Sequence, residues 1–349
     1  AGAAAPGPAV AGMALENDLV KYVFADDGTL LSAYDKELGR EFVAAGDVGN
    51  ALSLYVDRPV NWDAWDVDVS YPDEVCDRAH AVAVERLAAG PVRQGLKFAL
   101  RIGASTVEQT VFLNAGSKRL DFVTTVEWRE CHRMLRVAFP VAVRSSEASF
   151  DIQYGYVKRP THRNTSWDMA KFEVVGHKYA DLSCSDFGAA LLNDCKYGYG
   201  VRDNVLGLNL LRASTNPDAE ADLGRHEFTY SFLPHAGRLD ASPVIAEASM
   251  LNFAPVALPG VGAGRFVCPV TVEGADVAIG ALKRGEKEDC LVIRLAETAG
   301  RHGKAKIILN QGSQLVPCDM LEWHDEAPLP GKAQEIAFAP FEIRTFKIR

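Results

Sequence analysis

The sequence predicts an all-β protein, and three observations carry that reading. Apolar and polar residues alternate in several segments, turns built on Gly, Asn and Asp separate those segments, and long amphipathic helical stretches are absent. The 349 residues leave room for two or three domains, and 48% hydrophobic with 24% charged residues matches an ordinary globular chain.

The elements follow in order. Residues 1–13, rich in Ala, Gly and Pro, read as an interdomain linker and lack the basic and apolar regions of a signal peptide. A start inside a linker suggests a piece of a longer protein. Leu19–Phe24 and the TLLSAY stretch after Asp27-Gly28 form a first hairpin. Leu96, Phe98, Leu100 and Ile102 alternate with Lys97, Ala99 and Arg101, and Leu120, Phe122, Thr124, Val126 and Trp128 repeat the period after the polar turn NAGSK. Further strands are expected in SFDIQYGYV, GAALLN, LGLNLLR and EFTYSFL, with one short helix at SWDMAKFEV. Gly and Pro punctuate residues 257–266. A boundary there divides a large antiparallel β-sandwich, residues 14–262, from a small C-terminal β-sandwich, residues 263–349, with strands in ADVAIGALK, CLVIRLAE, AKIIL and FEIRTFKIR.

A net charge of −9 argues against nucleic acid as a partner and suits neutral ligands such as sugars. No run of about 18 apolar residues predicts a membrane span. The seven cysteines are widely spaced with no CxxC pair, which reads as reduced, mostly buried thiols in a cytoplasmic setting. Zincin, Walker, GxSxG and Rossmann signatures are all missing, and no two of the eight histidines stand at i, i+2 or i, i+4. No metal site is therefore expected within this chain.

Three stretches could carry chemistry. NWDAWDVD, residues 61–68, holds Trp62, Asp63, Trp65 and Asp66, and is either a sugar-stacking surface or the aromatic corner of a sandwich. Retaining glycosidases need two carboxyl groups roughly 5–5.5 Å apart. In an extended stretch residues 63 and 66 point to opposite faces and could converge only in a turn, so no catalytic pair is expected here. LLNDCKYGYGVRDN sets Asn193, Asp194, Lys196 and Tyr197 after an apolar strand, where loop-borne function sits, although taken alone it is better accounted for by a Gly-assisted turn with an Asx cap. Residues 151–186 mix aromatic and charged groups, with Lys158, Arg159 and His162 as candidates, against the alternative of a loop that seals the sandwich.

YGYVKRPTHRNTSWDMAKFEVVGHKYADLS, ALLNDCKYGYGV and LNLLRASTNPDAEADLGRHEFTYSFLPH resemble the C-terminal β-region of the α-mannosidases of glycoside hydrolase family 38, of the microbial and cytosolic type. LENDLVKYVFADDGTLLSAYDKELGREF, DRPVNWDAWDVD and EWRECHRMLRVAFPV stand in the order that family shows, so the resemblance covers the chain from about residue 14 onward. It implies a retaining glycosidase whose nucleophile and zinc ligands lie in an N-terminal domain absent from this chain, so that no catalytic residue and no cofactor are expected here and zinc is expected in the full-length enzyme. It also implies that this region docks its own N-terminal catalytic domain and lends side chains to the rim that receives a mannose-containing oligosaccharide. Trp62, Asp63, Trp65, Asp66, Asn193, Asp194, Lys196 and Tyr197 match the rim positions by order along the chain, and Lys158, Arg159 and His162 form a third group. The large sandwich further resembles the galactose-mutarotase-like superfold. A free-standing carbohydrate-binding module, or a sugar epimerase using His177 or His226 with Glu227, remain as alternatives.

Overall fold

The computed structural model describes residues 13–256, 259–260, 267–274 and 276–349. The expected linker, apart from residue 13, and most of the expected boundary at 257–266 lie outside these residues. Strand makes up 52% of the structure and helix 6%, and the strands pair antiparallel, so the protein is an all-β sandwich. The chain divides into two compact units, one running to Asp151 and resuming over Val157–Phe253, the other comprising Ile152–Tyr156 and Ala254–Arg349.

The first unit is built on two large sheets. Nine strands run in the order Gly155–Pro160, Glu147–Ile152, Tyr179–Ser183, Phe187–Asn193, Gly224–Ala236, Leu120–Trp128, Ser105–Asn114, Arg93–Ile102 and His80–Arg86. Six run in the order Val174–Val175, Gly198–Arg202, Val205–Arg212, Arg133–Pro140, Ala51–Val56 and Val75–Arg78. A four-stranded sheet from Ala14–Glu16 to Arg40–Glu41 adds Leu15, Val20, Tyr22, Phe24 and Leu30 to the same core.

Alternation explains the layering. Leu96, Phe98, Leu100 and Ile102 on one sheet and Leu135, Val137 and Phe139 on the other send every second side chain into one core. Across that core Phe139 stacks on Phe232 at 5.1 Å and meets Phe122 edge-on at 5.8 Å. Each such buried ring contributes about 2–3 kcal/mol of burial free energy. Arg136, between Leu135 and Val137, points the other way and is nonetheless buried, because Tyr71 and Glu173 cover the outer face of the six-stranded sheet there.

The second unit pairs a three-stranded sheet, Val270–Glu273, Gly303–Leu309 and Ala333–Phe338, with a four-stranded one, Val277–Arg284, Leu291–Glu297, Ile343–Ile348 and Leu315–Cys318. Ile293, Leu295, Ile307, Phe338 and Phe346 form its own core.

Two local expectations are corrected and one open point is decided. The helix at SWDMAKFEV is a single turn, Ser166–Met169, closed by a Thr165–Asp168 capping box, while a nine-residue helix, Val244–Asn252, stands where none was expected. The thiols are free but not mostly buried: Cys76, Cys131, Cys195 and Cys268 are exposed, because they occupy turns, an outward strand position or the approach to a strand. Residues 61–68 are not extended; they form a turn in which the amides of Trp65 and Asp66 both donate to the Trp62 carbonyl, at 2.8 and 2.9 Å.

Candidate functional site: the tryptophan turn and its neighbours

The turn grows from the end of strand Ala51–Val56, and its geometry begins with Asp57. That carboxylate is buried and receives the Arg212 guanidinium in a two-pronged contact, Nε to Oδ2 at 2.6 Å and Nη2 to Oδ1 at 2.9 Å. Arg212 closes strand Val205–Arg212. The His132 carbonyl accepts the Asp57 amide at 3.0 Å, and the Ala213 carbonyl accepts the His132 amide at 2.8 Å. Three strand ends are thereby stitched together.

Asp63 is turned inward. Its Oδ2 accepts the Thr215 amide at 2.6 Å, the Asn216 amide at 3.1 Å and the Thr215 hydroxyl at 3.3 Å, and His132 Nδ1 stands 3.4 Å from Oδ1. Burial pushes this carboxyl up, but the two amides and the neighbouring imidazole outweigh it and hold Asp63 below the ordinary carboxylate range. An acid so occupied is an anchor for the turn. Trp62 and Trp65 are correspondingly turned out, 69% and 68% exposed, and Asp66 is exposed beside them. Trp62 adopts a left-handed backbone at φ 57°, a conformation that costs a bulky residue about 1–2 kcal/mol and persists only where its surroundings fix it.

Asn193 ends strand Phe187–Asn193 and Asp194 follows it. Asn193 is fully buried: its amide nitrogen donates to the His177 carbonyl at 2.9 Å and to the Tyr199 hydroxyl, and its Oδ1 accepts the Lys196 amide. The sequence places it on a surface loop; the structure makes it the pin beneath that loop. Asp194 accepts the Thr229 amide at 3.0 Å. Lys196 lies over the Phe228 ring at 4.6 Å, and exposed Tyr197 packs against His177 at 5.1 Å. Of this group Tyr197 alone is well exposed.

Register brings these two groups to one end of the six-stranded sheet. Arg133 pairs with Val56, Met134 with Arg212 and Gly198 with Asn209, so the tryptophan turn, His132, the 213–223 segment and the 194–197 loop all leave the sheet in the same direction. Lys158, Arg159 and His162 are not brought to this end. The Thr161 carbonyl accepts the Asp203 amide at the opposite end of the Gly198–Arg202 and Val205–Arg212 hairpin, roughly 13 Å of strand away. Lys158 stands 3.9 Å from Glu147, Arg159 lies over Phe150 with burial pulling its guanidinium down, and His162 stands 3.5 Å from Asp168. His226 and Glu227 are neighbours on one strand and so face opposite sides, with His226 held to the Asp222 carbonyl and Glu227 to Arg225.

Residues 15–220 match the family model of the glycosyl hydrolases family 38 C-terminal domain, and residues 276–346 match that of the family 38 C-terminal beta sandwich domain. The chain belongs to glycosyl hydrolase family 38. It is 40% identical over 345 residues to the mouse protein named alpha-mannosidase 2C1, covering 95% of this chain and 33% of that one, and 35% identical over 349 residues to Dictyostelium discoideum alpha-mannosidase G, covering 95% and 32%. This family 38 chain therefore spans about a third of the length of the curated relatives it matches. A crystal structure of an alpha-mannosidase from Enterococcus faecalis V583 superposes with a TM-score of 0.78 at 17% identity, over 97% of this chain and 42% of that one, a likeness of fold.

Sequence reasoning missed the groups that hold this family 38 turn: Asp57, Arg212, His132 and Thr215. One signal was present, an arginine closing the largely apolar strand LNLLR. Among the described residues no helix is long and apolar enough to cross a membrane. Among the described residues no three His, Cys, Asp or Glu side chains are grouped to hold a metal ion. These residues therefore do not fit the zinc that the family implies.

Proposed function

We propose that this chain is the non-catalytic β portion of a retaining α-mannosidase, which docks the catalytic domain and supplies part of the rim around the site where terminal α-mannosides are hydrolysed. On this reading the nucleophile, the acid–base group and the zinc lie outside the chain. The observation that carries it is the pair of exposed tryptophans on a turn anchored from within, at the sheet end where the 194–197 loop also emerges. Rigid aromatic faces stack on pyranose rings at low entropic cost, and a fixed turn supplies the preorganisation that substrate positioning needs. Family membership and the relatives' names support the substrate class. The inward Asp63 and the buried Asn193 act as supports rather than as sugar ligands, which narrows the rim to Trp62, Trp65, Asp66, Lys196 and Tyr197. Asp194 holds the base of the second loop.

The coding frame upstream of Ala1 tests the assignment cheaply. Several hundred residues containing a His-x-Asp motif agree with it; a start codon a few residues upstream contradicts it and favours a free-standing sugar-binding module.

A further inference from the structure

The Arg212 guanidinium does more than pair with Asp57. The same Nη2 that meets Asp57 Oδ1 also donates to the backbone carbonyls of Asp66, at 2.7 Å, and Asp63, at 3.2 Å. Those carbonyls belong to the turn that displays Trp62 and Trp65. Arg212 itself is fixed at both ends: its own carbonyl accepts the buried Trp128 indole N–H at 3.1 Å, and its charge is matched by a carboxylate that is 3% exposed. The charged fork thus reads two carbonyls of a loop about 150 residues away in sequence and locks them to the end of the six-stranded sheet.

We propose that Arg212 and Asp57 are positioning residues for the tryptophan turn, setting the direction in which Trp62 and Trp65 face the substrate. This rests on the rim reading above. A planar, five-donor guanidinium can hold one carboxylate and two carbonyls at once, whereas a lysine ammonium keeps the charge and the carboxylate contact but cannot span all three acceptors. Removing Asp57 alone leaves the guanidinium free to swing away from the carbonyls. Neither group touches substrate in this account; both act through the turn.

The test uses the full-length enzyme labelled with 5-fluorotryptophan, its Trp62 and Trp65 resonances assigned by single Trp→Phe replacements, and an aryl α-mannoside as substrate. Arg212→Lys is expected to shift and broaden both 19F lines and to raise KM about tenfold with a smaller change in kcat, while near-ultraviolet dichroism from the buried aromatics is retained. Asp57→Asn serves as the second variant if Arg212→Lys does not fold. Unchanged 19F lines in a folded variant overturn the positioning role. Loosened lines with wild-type KM and kcat leave the clamp standing and overturn the rim reading on which its function rests.

Discussion

Asp63 and Thr215 meet across 152 residues of sequence, the carboxylate of one accepting the backbone amide of the other at 2.6 Å. This contact turns a polar-looking loop into a supported one. It also separates the two kinds of residue within NWDAWDVD: the acid that faces the protein and the tryptophans that face away from it.

Replacing Asp63 with Ala leaves two backbone amides without their acceptor and is expected to cost about 2 kcal/mol. The pH dependence has a definite sign. Because the folded carboxyl lies below its unfolded value, the stabilisation is fully present above about pH 4 and is lost as pH falls through the folded value. Urea titrations of wild type and Asp63→Asn at pH 7 and pH 3 check this: the gap between them should be open at pH 7 and narrowed at pH 3. A gap that widens on acidification contradicts the account.

Glu173 carries the largest stability prediction. Its carboxylate accepts the Tyr71 hydroxyl at 2.6 Å and stands 2.7 Å from Arg136 Nη1, so Glu173→Gln leaves a buried guanidinium uncompensated and should cost about 3–5 kcal/mol. Joint replacement of Arg136 and Glu173 by Met should cost far less, since a buried ion pair exchanged for apolar side chains is often neutral. Equal losses in the single and double variants, by denaturant unfolding, would show that the pair is not coupled.

How far the sequence could be read follows from these residues. Strands Arg93–Ile102 and Leu120–Trp128 were legible because one face of each is buried, which writes period two into the chain. Helix Val244–Asn252 was not, because it buries only Val244 and Ala248, too narrow a stripe to register as a helical period. The tryptophans were legible as candidates from residue type. Asp63, Asp57 and Arg212 were not legible as supports, because their partners are set by strand register across more than 140 residues. Asn193 reads as a surface loop residue, since polarity gives no sign that its side-chain amide finds three partners inside, at His177, Tyr199 and Lys196.

Asn193→Ala should unpin the second loop. Both ends of the amide are engaged, so the substitution is expected to lower stability by about 2 kcal/mol and to raise hydrogen exchange at the Lys196 amide. Mass-spectrometric exchange on the 194–199 peptide reads this directly, and unaltered protection there would refute the pinning role.

Cys195 should be a slow thiol despite its exposure. Partial desolvation of the thiol, with the Asp194 carboxylate beside it, pushes its pKa up to about 11. Alkylation by iodoacetamide at pH 8 should therefore lag, and Asp194→Asn should speed it, since the thiolate is the reactive form. Rapid labelling of Cys195 at pH 8 in the wild type would contradict this.

On the proposed function, the tryptophan turn of this chain belongs to the rim of an α-mannosidase active site. The most direct measurement is kcat/KM of the full-length enzyme carrying Trp62→Ala and Trp65→Ala together, with an aryl α-mannoside as substrate and unfolding monitored in parallel. A loss of about tenfold or more is expected with the fold intact, the turn being held from inside by Asp63 and Arg212. Wild-type kcat/KM in the folded double variant would contradict it and leave the two tryptophans with no part in the reaction.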